Sequence, residues 1–321
     1  MLNLNELIDQ GLVLDYSNKL YKSRIGGTLK KKFFRVHSSV FGDLWDKIEL
    51  GKVSFKTYID DYIKSGERLE YVSCMLKKVR EDSFTSSQIR INRDLATMAI
   101  ANMLKIPCAY SVPVLYNNEM YTLSIDFVPY NHTVKNLTEY TGGVFLDTYM
   151  DVEEYVAEVM PAIFKKSKNI ANDKKYDYVN SQIEILLNEV FLEKHMIGDA
   201  DSCSDNMAII CPKKGCKSNP FIAPLFDNEF AYSNKLSSTY LIDDVRFLFH
   251  HFPQVLDKFL RFSDDSLKSG YNNIRNELSK YIDDMDYVNK ITLFIVQNLT
   301  SLDMAFKIVA EENQPEMSDE F

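Results

Sequence analysis

Apolar side chains return at two different spacings along this chain, and the alternation between them sketches its elements. From residue 53 to 65, Phe55, Tyr58, Ile59, Tyr62 and Ile63 recur at helical spacing, and Gly66 ends the run. "RLEYVSCMLKKV" (68–79) fits two readings: Leu69, Val72, Leu76 and Val79 suit a helix, whereas Tyr71, Val72, Cys74, Met75 and Leu76 suit a buried strand. "RDLATMAIANMLKI" (93–106) is rich in helix formers, places Leu95, Met98, Ala99 and Met103 on one side, and stops at Ile106-Pro107. Two strands follow, "AYSVPVLY" (109–116) and "MYTLSIDFV" (120–128), with Asn117-Asn118-Glu119 as the hairpin turn.

After "NHTVKN" (131–136), Gly142-Gly143 marks a boundary, and beyond residue 145 the pattern is mainly helical. "SQIEILLNEVFLEKHMI" (181–197) carries Ile183, Leu186, Leu187, Val190 and Phe191 at helical spacing and runs into the acidic stretch "GDADSCSDN" (198–206). A strand "MAII" (207–210), a turn "PKKG" (212–215), a second apolar run "FIAPLF" (221–226) and "DNEF" (227–230) come next. Helices containing "LIDDVRFLFHHF" (241–252) and "VNKITLFIVQNL" (288–299) complete the chain, and residues 311–321 read as a disordered acidic tail.

Composition narrows the function classes. The chain has 321 residues, 45% hydrophobic and 26% charged, the proportions of a globular protein with one large two-lobed domain or two ordinary ones. A net charge of -9 argues against broad binding to nucleic acid or to an anionic membrane, both of which need surplus Lys and Arg. No apolar run approaches the ~18 residues of a membrane span, and the start lacks the features of a secretory signal, so the expected compartment is the cytoplasm. The five cysteines are odd in number and do not form a disulfide framework; Cys211 and Cys216 with Cys203 lack the second half of a zinc site, which favours a reduced hairpin turn. In "RIGGTLKKKFFRV" (24–36) the glycine pair and basic cluster read as a solvated hairpin rather than a phosphate-facing turn.

The acidic stretch carries the chemistry. A transferred phosphoryl group spreads negative charge over its oxygens, so its catalysis is mostly positioning and stabilisation by cations. One carboxylate must stand by the attacking hydroxyl, while an amide and a second carboxylate hold magnesium, a cation that takes oxygen ligands. Protein kinases meet this need with an Asp, an Asn five residues on, and a metal-binding Asp after a β-hairpin. Asp201 and Asn206 have that separation, and Asp227 closes the second apolar run, 21 residues after Asn206. Turn and capping chemistry is the bland explanation for each of the three alone; their order and spacing favour the catalytic one.

"IGDADSCSDNMAII" with "IAPLFDNEF" resembles the catalytic and metal segments of the HipA-like kinases, the CtkA-type serine/threonine kinases among them. Gly198, Asp201 and Asn206 match the family's loop, and Ala223, Pro224 and Asp227 match its second segment. Asp199 stands where the family has Asn, and Cys203 where it has His. "INRDLATMAIANMLKIPCAYSVPVLYNNEMYTLSIDFV" resembles the family's acidic-residue helix, two strands and hinge, with Asp94 in place of Glu. The resemblance covers roughly residues 70 to 240.

It implies an α+β, two-lobed, protein-kinase-like (HipA-like) fold, with a small N-lobe over 1–130 and a larger, mainly helical C-lobe over 131–310. It further implies ATP and Mg2+ as cofactors, with Asp201 as the catalytic residue and Asn206 and Asp227 as metal ligands. Lys77 would grip the phosphates, with Lys78 and Lys32 as alternatives; Lys32 gains if 68–79 is a helix. Asp94 would pair with that lysine, and the hinge Asp126, Phe127 and Val128 would lie against the nucleotide. His195 reads as a packing residue rather than a base. The partner implied is a protein with a Ser or Thr acceptor, the chain itself included, for example in "DSFTSS" (82–87), and neither nucleic acid nor membrane. Two other classes stay open: a small-molecule kinase of the aminoglycoside type, which uses the same Asp-x4-Asn loop, and a nucleotide-binding pseudokinase acting as an interaction module.

Overall fold

The computed structural model describes residues 1–15, 31–41, 71–79, 86–128, 132–137, 167–199, 207–226, 231–232 and 238–313, with Pro161, Ile163 and Lys165. The helix expected over 53–65, the pair Gly26-Gly27 and the boundary glycines 142–143 lie outside these residues.

The N-terminal lobe contains β1 (Leu2–Asn3), α1 (Leu4–Asp9), β2 (Val13–Asp15), β3 (Lys31–His37), β4 (Tyr71–Lys78), α2 (Ser87–Leu104), β5 (Ser111–Tyr116) and β6 (Glu119–Ile125). Its sheet runs β1-β5-β6-β4-β3-β2, and only the β1–β5 pair is parallel. The segment that fitted both helix and strand is therefore an interior strand. In β4, Cys74 stands opposite Phe34 and Ile125, and Leu76 opposite Lys32 and Leu123. Alternation puts the buried Val72, Cys74 and Leu76 on one face with Phe34, Val36, Leu123 and Ile125. Ser73, Met75 and Lys77 share the other face with Thr122 and Ser124.

The β5–β6 hairpin turns on two residues, Asn117 and Asn118, with φ of 53° and 63°. Asn tolerates that left-handed conformation, and such a turn matches the twist of the strands. Glu119, expected in the turn, is instead the first residue of β6. Helix α2 starts at Ser87, earlier than the "RDLATMAIANMLKI" pattern, because Arg90 and Asn92 are buried polar residues that hide the period. The Ser86 hydroxyl caps it by accepting from the Ile89 amide, and Lys105, at φ 55°, ends it before Pro107.

The C-terminal lobe holds β7 (His132–Asn136), α3 (Asn172–Phe191), a π-helical turn (Leu192–Ile197), β8 (Ala208–Pro212), β9 (Phe221–Ile222), α4 (Ser238–His251), α5 (Pro253–Lys268), α6 (Asn272–Leu278) and α7 (Met285–Glu312). Strands β7, β8 and β9 form a small antiparallel sheet. The run "FIAPLF" forms a strand only at Phe221–Ile222, since Pro224 has no amide to donate; Leu225 bridges to Cys108 instead. Helix α7 is long and apolar enough to cross a membrane, but it lies along α4 and buries Val288, Ile291, Ile295, Leu299, Leu302 and Val309. Lys290, Gln297 and Lys307 are on its exposed side. It continues to Glu312, so the first residues of the stretch read as a disordered tail are helical. Helix α2 touches β5 and β6 on one side and α5 and α6 on the other, which makes it the element shared by both lobes.

Candidate active site

Asp201, Asn206 and Asp227 lie outside the described residues, as do Cys203 and Asp205. Both ends of each loop are described, however, and each is pinned. Helix α3 passes into the π-helical turn, an irregularity often found near functional sites, and Gly198 stops it at φ 56°. The Tyr232 amide donates to the Ile197 carbonyl at 2.6 Å, and the Asp199 amide to the Glu193 carbonyl at 3.1 Å. At the far end of the acidic loop, the Met207 carbonyl accepts from the Leu137 amide at 2.9 Å before β8 begins.

The second segment is tied to the first and to the N-lobe. The Ala223 amide donates to the Ala208 carbonyl at 2.8 Å. Leu225 exchanges backbone hydrogen bonds with the chain leaving α2, donating to Pro107 at 3.0 Å and accepting from Ala109 at 2.7 Å. The next ring, Phe226, packs on the hinge residue Phe127 with centroids 5.3 Å apart. The positions that precede Asp227 are thus held between the hinge and the end of α2.

The expected hinge residues are mostly fixed by backbone contacts. The Asp126 amide donates to the Ser73 carbonyl at 2.9 Å, and an Asp126 carboxylate oxygen accepts from the Val128 amide at 3.0 Å, closing a side-chain turn. Phe127 and Val128 are buried.

The three candidate lysines separate by environment. Lys78 is half-exposed and pairs with Glu119 at 2.8 Å; the hydrogen bonds from Lys78 and Tyr121 hold the Glu119 carboxyl below its ordinary range. Lys32 donates to the Tyr116 hydroxyl at 3.3 Å and lies over that ring. Lys77 is only 8% exposed, on the polar face of β4, where a solvated lysine would not sit. Asp94 is half-buried on α2, and its charge adds to the rise of the Cys108 thiol, which burial dominates.

Sequence patterns did not reveal how the charged groups around residues 189 to 199 divide. Lys194 and His195 both bond Asp244 of α4, at 2.6 Å each, and all three side chains are buried. Burial lowers the His195 ring, and its unpartnered buried Nδ1 fits a neutral ring whose Nε2–H donates to Asp244. Burial alone would raise Asp244, but the His195 hydrogen bond and the Lys194 charge outweigh it and leave the carboxyl below its ordinary range. The other group is acidic. Glu189 and Glu193 are 2% and 1% exposed, one turn apart, and burial followed by the Glu193 charge pushes the Glu189 carboxyl well up. Asp199 is also buried, and its charge adds to burial in raising the Tyr232 hydroxyl. Charged residues inside the buried stretch "ILLNEVFLEKHMI" were the available signal; nothing local announces that residues 194 and 195 meet residue 244.

Among the described residues no three His, Cys, Asp or Glu side chains gather around a metal-sized space. No protein-family model matches the chain, and the search of curated proteins returned no match. Among solved structures, the Helicobacter pylori proinflammatory kinase CtkA is similar in fold, with a TM-score of 0.51 at 13% identity over 94% of this chain and 97% of that one. The Shewanella oneidensis HipA in complex with HipB and its operator DNA aligns at a TM-score of 0.48 and 10% identity, over 74% of this chain and 61% of that one. The chain has the two-part, kinase-like fold of CtkA, a mixed sheet followed by a helical lobe.

Proposed function

We propose that this protein is an ATP- and Mg2+-dependent phosphotransferase, a HipA-like serine/threonine kinase that moves the γ-phosphoryl group of ATP to a protein hydroxyl. The observation that carries the reading is the joint anchoring of the two loop ends. Met207, one residue after Asn206, is held by the Leu137 amide beside the small sheet, Ala223 is tied to that same sheet, and Phe226, one residue before Asp227, packs on Phe127 next to the Leu225 contacts with the α2 exit. That arrangement suits two oxygen ligands converging on one magnesium ion. The fold shared with a kinase over nearly the whole chain supports it.

The residues present fit the nucleotide's charge. Lys77, a cation kept from water on the polar face of β4, suits an anionic phosphate, and oxygen donors such as Asn206 and Asp227 suit magnesium. Magnesium-ATP would supply the phosphoryl group and neutralise part of its charge. Asp201 would accept the proton of the acceptor hydroxyl and orient it, and Asp126 to Val128 would border the nucleotide. The buried Asp199 does not extend an acidic substrate surface, which removes one reason for an aminoglycoside-type acceptor. A cytoplasmic setting belongs to the same reading.

The test is incubation of the purified protein with magnesium and labelled ATP, alone and with a generic protein acceptor, followed by mass spectrometry. Phosphoserine or phosphothreonine is expected. ATP binding without transfer to any protein residue would replace this reading with a small-molecule acceptor or a pseudokinase.

A further inference from the structure

Between the C-terminal end of α2 and α5 lies a cavity of about 480 Å³. Its floor is apolar, with Met103, Leu104 and Phe262, and its walls carry Lys105, Lys258 and Arg261. A space of that size accommodates a ligand of one or two rings. The wall is not uniformly basic, since Asp257 and Asp265 also border it. Those two acids already have cations: Asp257 stands 3.7 Å from Arg261, and Asp265 4.0 Å from Lys268.

Lys105 and Lys258 are different. Neither makes a salt bridge or a side-chain hydrogen bond among the described residues. Lys258 is half-buried, and its ammonium is lowered, chiefly by burial, with Glu184 opposing and the charge of Lys105 adding to the lowering. Glu184 compensates Lys258 in part, while Lys105 adds a second positive charge to the same space, and a bound anion would satisfy both ammonium groups more fully. The first turn of α5 adds to this, since Phe252 provides no side-chain cap and Gln254, beside the cavity, sits at the positive end of a 16-residue helix. Opposed ammonium groups above an apolar floor select a doubly charged head on an apolar body.

We propose that this cavity binds a small organic phosphate, a phosphate monoester carried on an apolar or aromatic group, bridging Lys105 of the α2 terminus and Lys258 of α5. Because α2 also carries Asp94, such a ligand would brace the helix shared by both lobes at its C-terminal end. Occupancy of this cavity does not depend on phosphoryl transfer elsewhere in the molecule.

The experiment titrates phenyl phosphate, inorganic phosphate and a phosphotyrosine peptide into the full chain by NMR or calorimetry, with and without saturating ATP. The variants are Lys105→Met, Lys258→Met and, as a control, Lys290→Met, on the exposed side of α7. Saturable phenyl phosphate binding is expected, undisturbed by ATP, tighter than that of inorganic phosphate, and weakened at least about tenfold by either cavity variant but not by the control. Equal binding by wild type and cavity variants, displacement by ATP, or no binding up to about 10 mM would overturn it. Equal affinity for inorganic phosphate would refute the apolar part, and a strong preference for the peptide would replace the small molecule with a protein partner. Melting temperatures of the variants separate loss of binding from loss of fold.

Discussion

The chain entering the acidic loop presents two buried charged clusters within seven residues, and they are built on opposite principles. Lys194 and His195 close on Asp244, so the carboxylate is met from two sides. Glu189 and Glu193 are set one turn apart with like charge, and both, with Asp94, add to the rise of the buried Cys108 thiol. The first arrangement anchors the π-helical turn to α4. The second costs stability whenever both carboxyls ionise, and native folds keep such costs mostly where function asks for them. One cluster fixes the loop's entry; the other holds a carboxyl that burial and a neighbouring acid push well above its ordinary range.

The sharpest way to break this comparison is to remove the shared carboxylate. Asp244→Ala should leave a buried ammonium and imidazole unpaired and lower stability by about 3–5 kcal/mol, read from urea midpoints. A loss under about 1 kcal/mol would mean that the network does not anchor the turn.

Glu189→Gln should act in the opposite sense. The folded carboxyl titrates above its unfolded value of about 4.3, so wild type loses stability as pH rises through that value and beyond. The variant should therefore be more stable by about 1–2 kcal/mol at pH 7 to 8, with the gain vanishing near pH 4. A pH-independent effect would show that packing, not charge, governs the site.

The smallest effect is a slope. His195 is lowered in the fold, so below about pH 6.5 the unfolded ring takes a proton that the folded ring refuses, and stability declines as pH falls. His195→Asn should flatten that decline, which cannot exceed about 1.4 kcal/mol per pH unit for one group. Asp244 extends the decline below its unfolded value of about 3.9, because its folded carboxyl titrates lower still.

The two lobes also differ in how readably their sequence encoded them. The β5–β6 hairpin was legible because Asn117 and Asn118 carry both turn chemistry and position, and α2 because its apolar period and Pro107 agree. β4 was not decidable locally: it is interior, its apolar residues do not alternate cleanly with polar ones, and only pairing with β3 and β6 resolves it. β1 is two residues long, too short for any period, so its parallel pairing with β5 left no trace in the pattern. Asp201, Asn206 and Asp227 lie outside the described residues, and the burial of Lys77 follows from its strand. The His195–Asp244 contact joins residues 49 apart in sequence, and long-range pairing of that kind has no local signature.

The central claim is most directly tested by calorimetric titration of ATP into the wild type and into Asp201→Ala and Asp227→Ala, with and without magnesium. The account predicts magnesium-dependent binding to the wild type, loss of that dependence in Asp227→Ala, and retained binding without phosphoryl transfer in Asp201→Ala. Absence of ATP binding to the wild type, or identical magnesium-dependent binding and transfer in all three proteins, would contradict it.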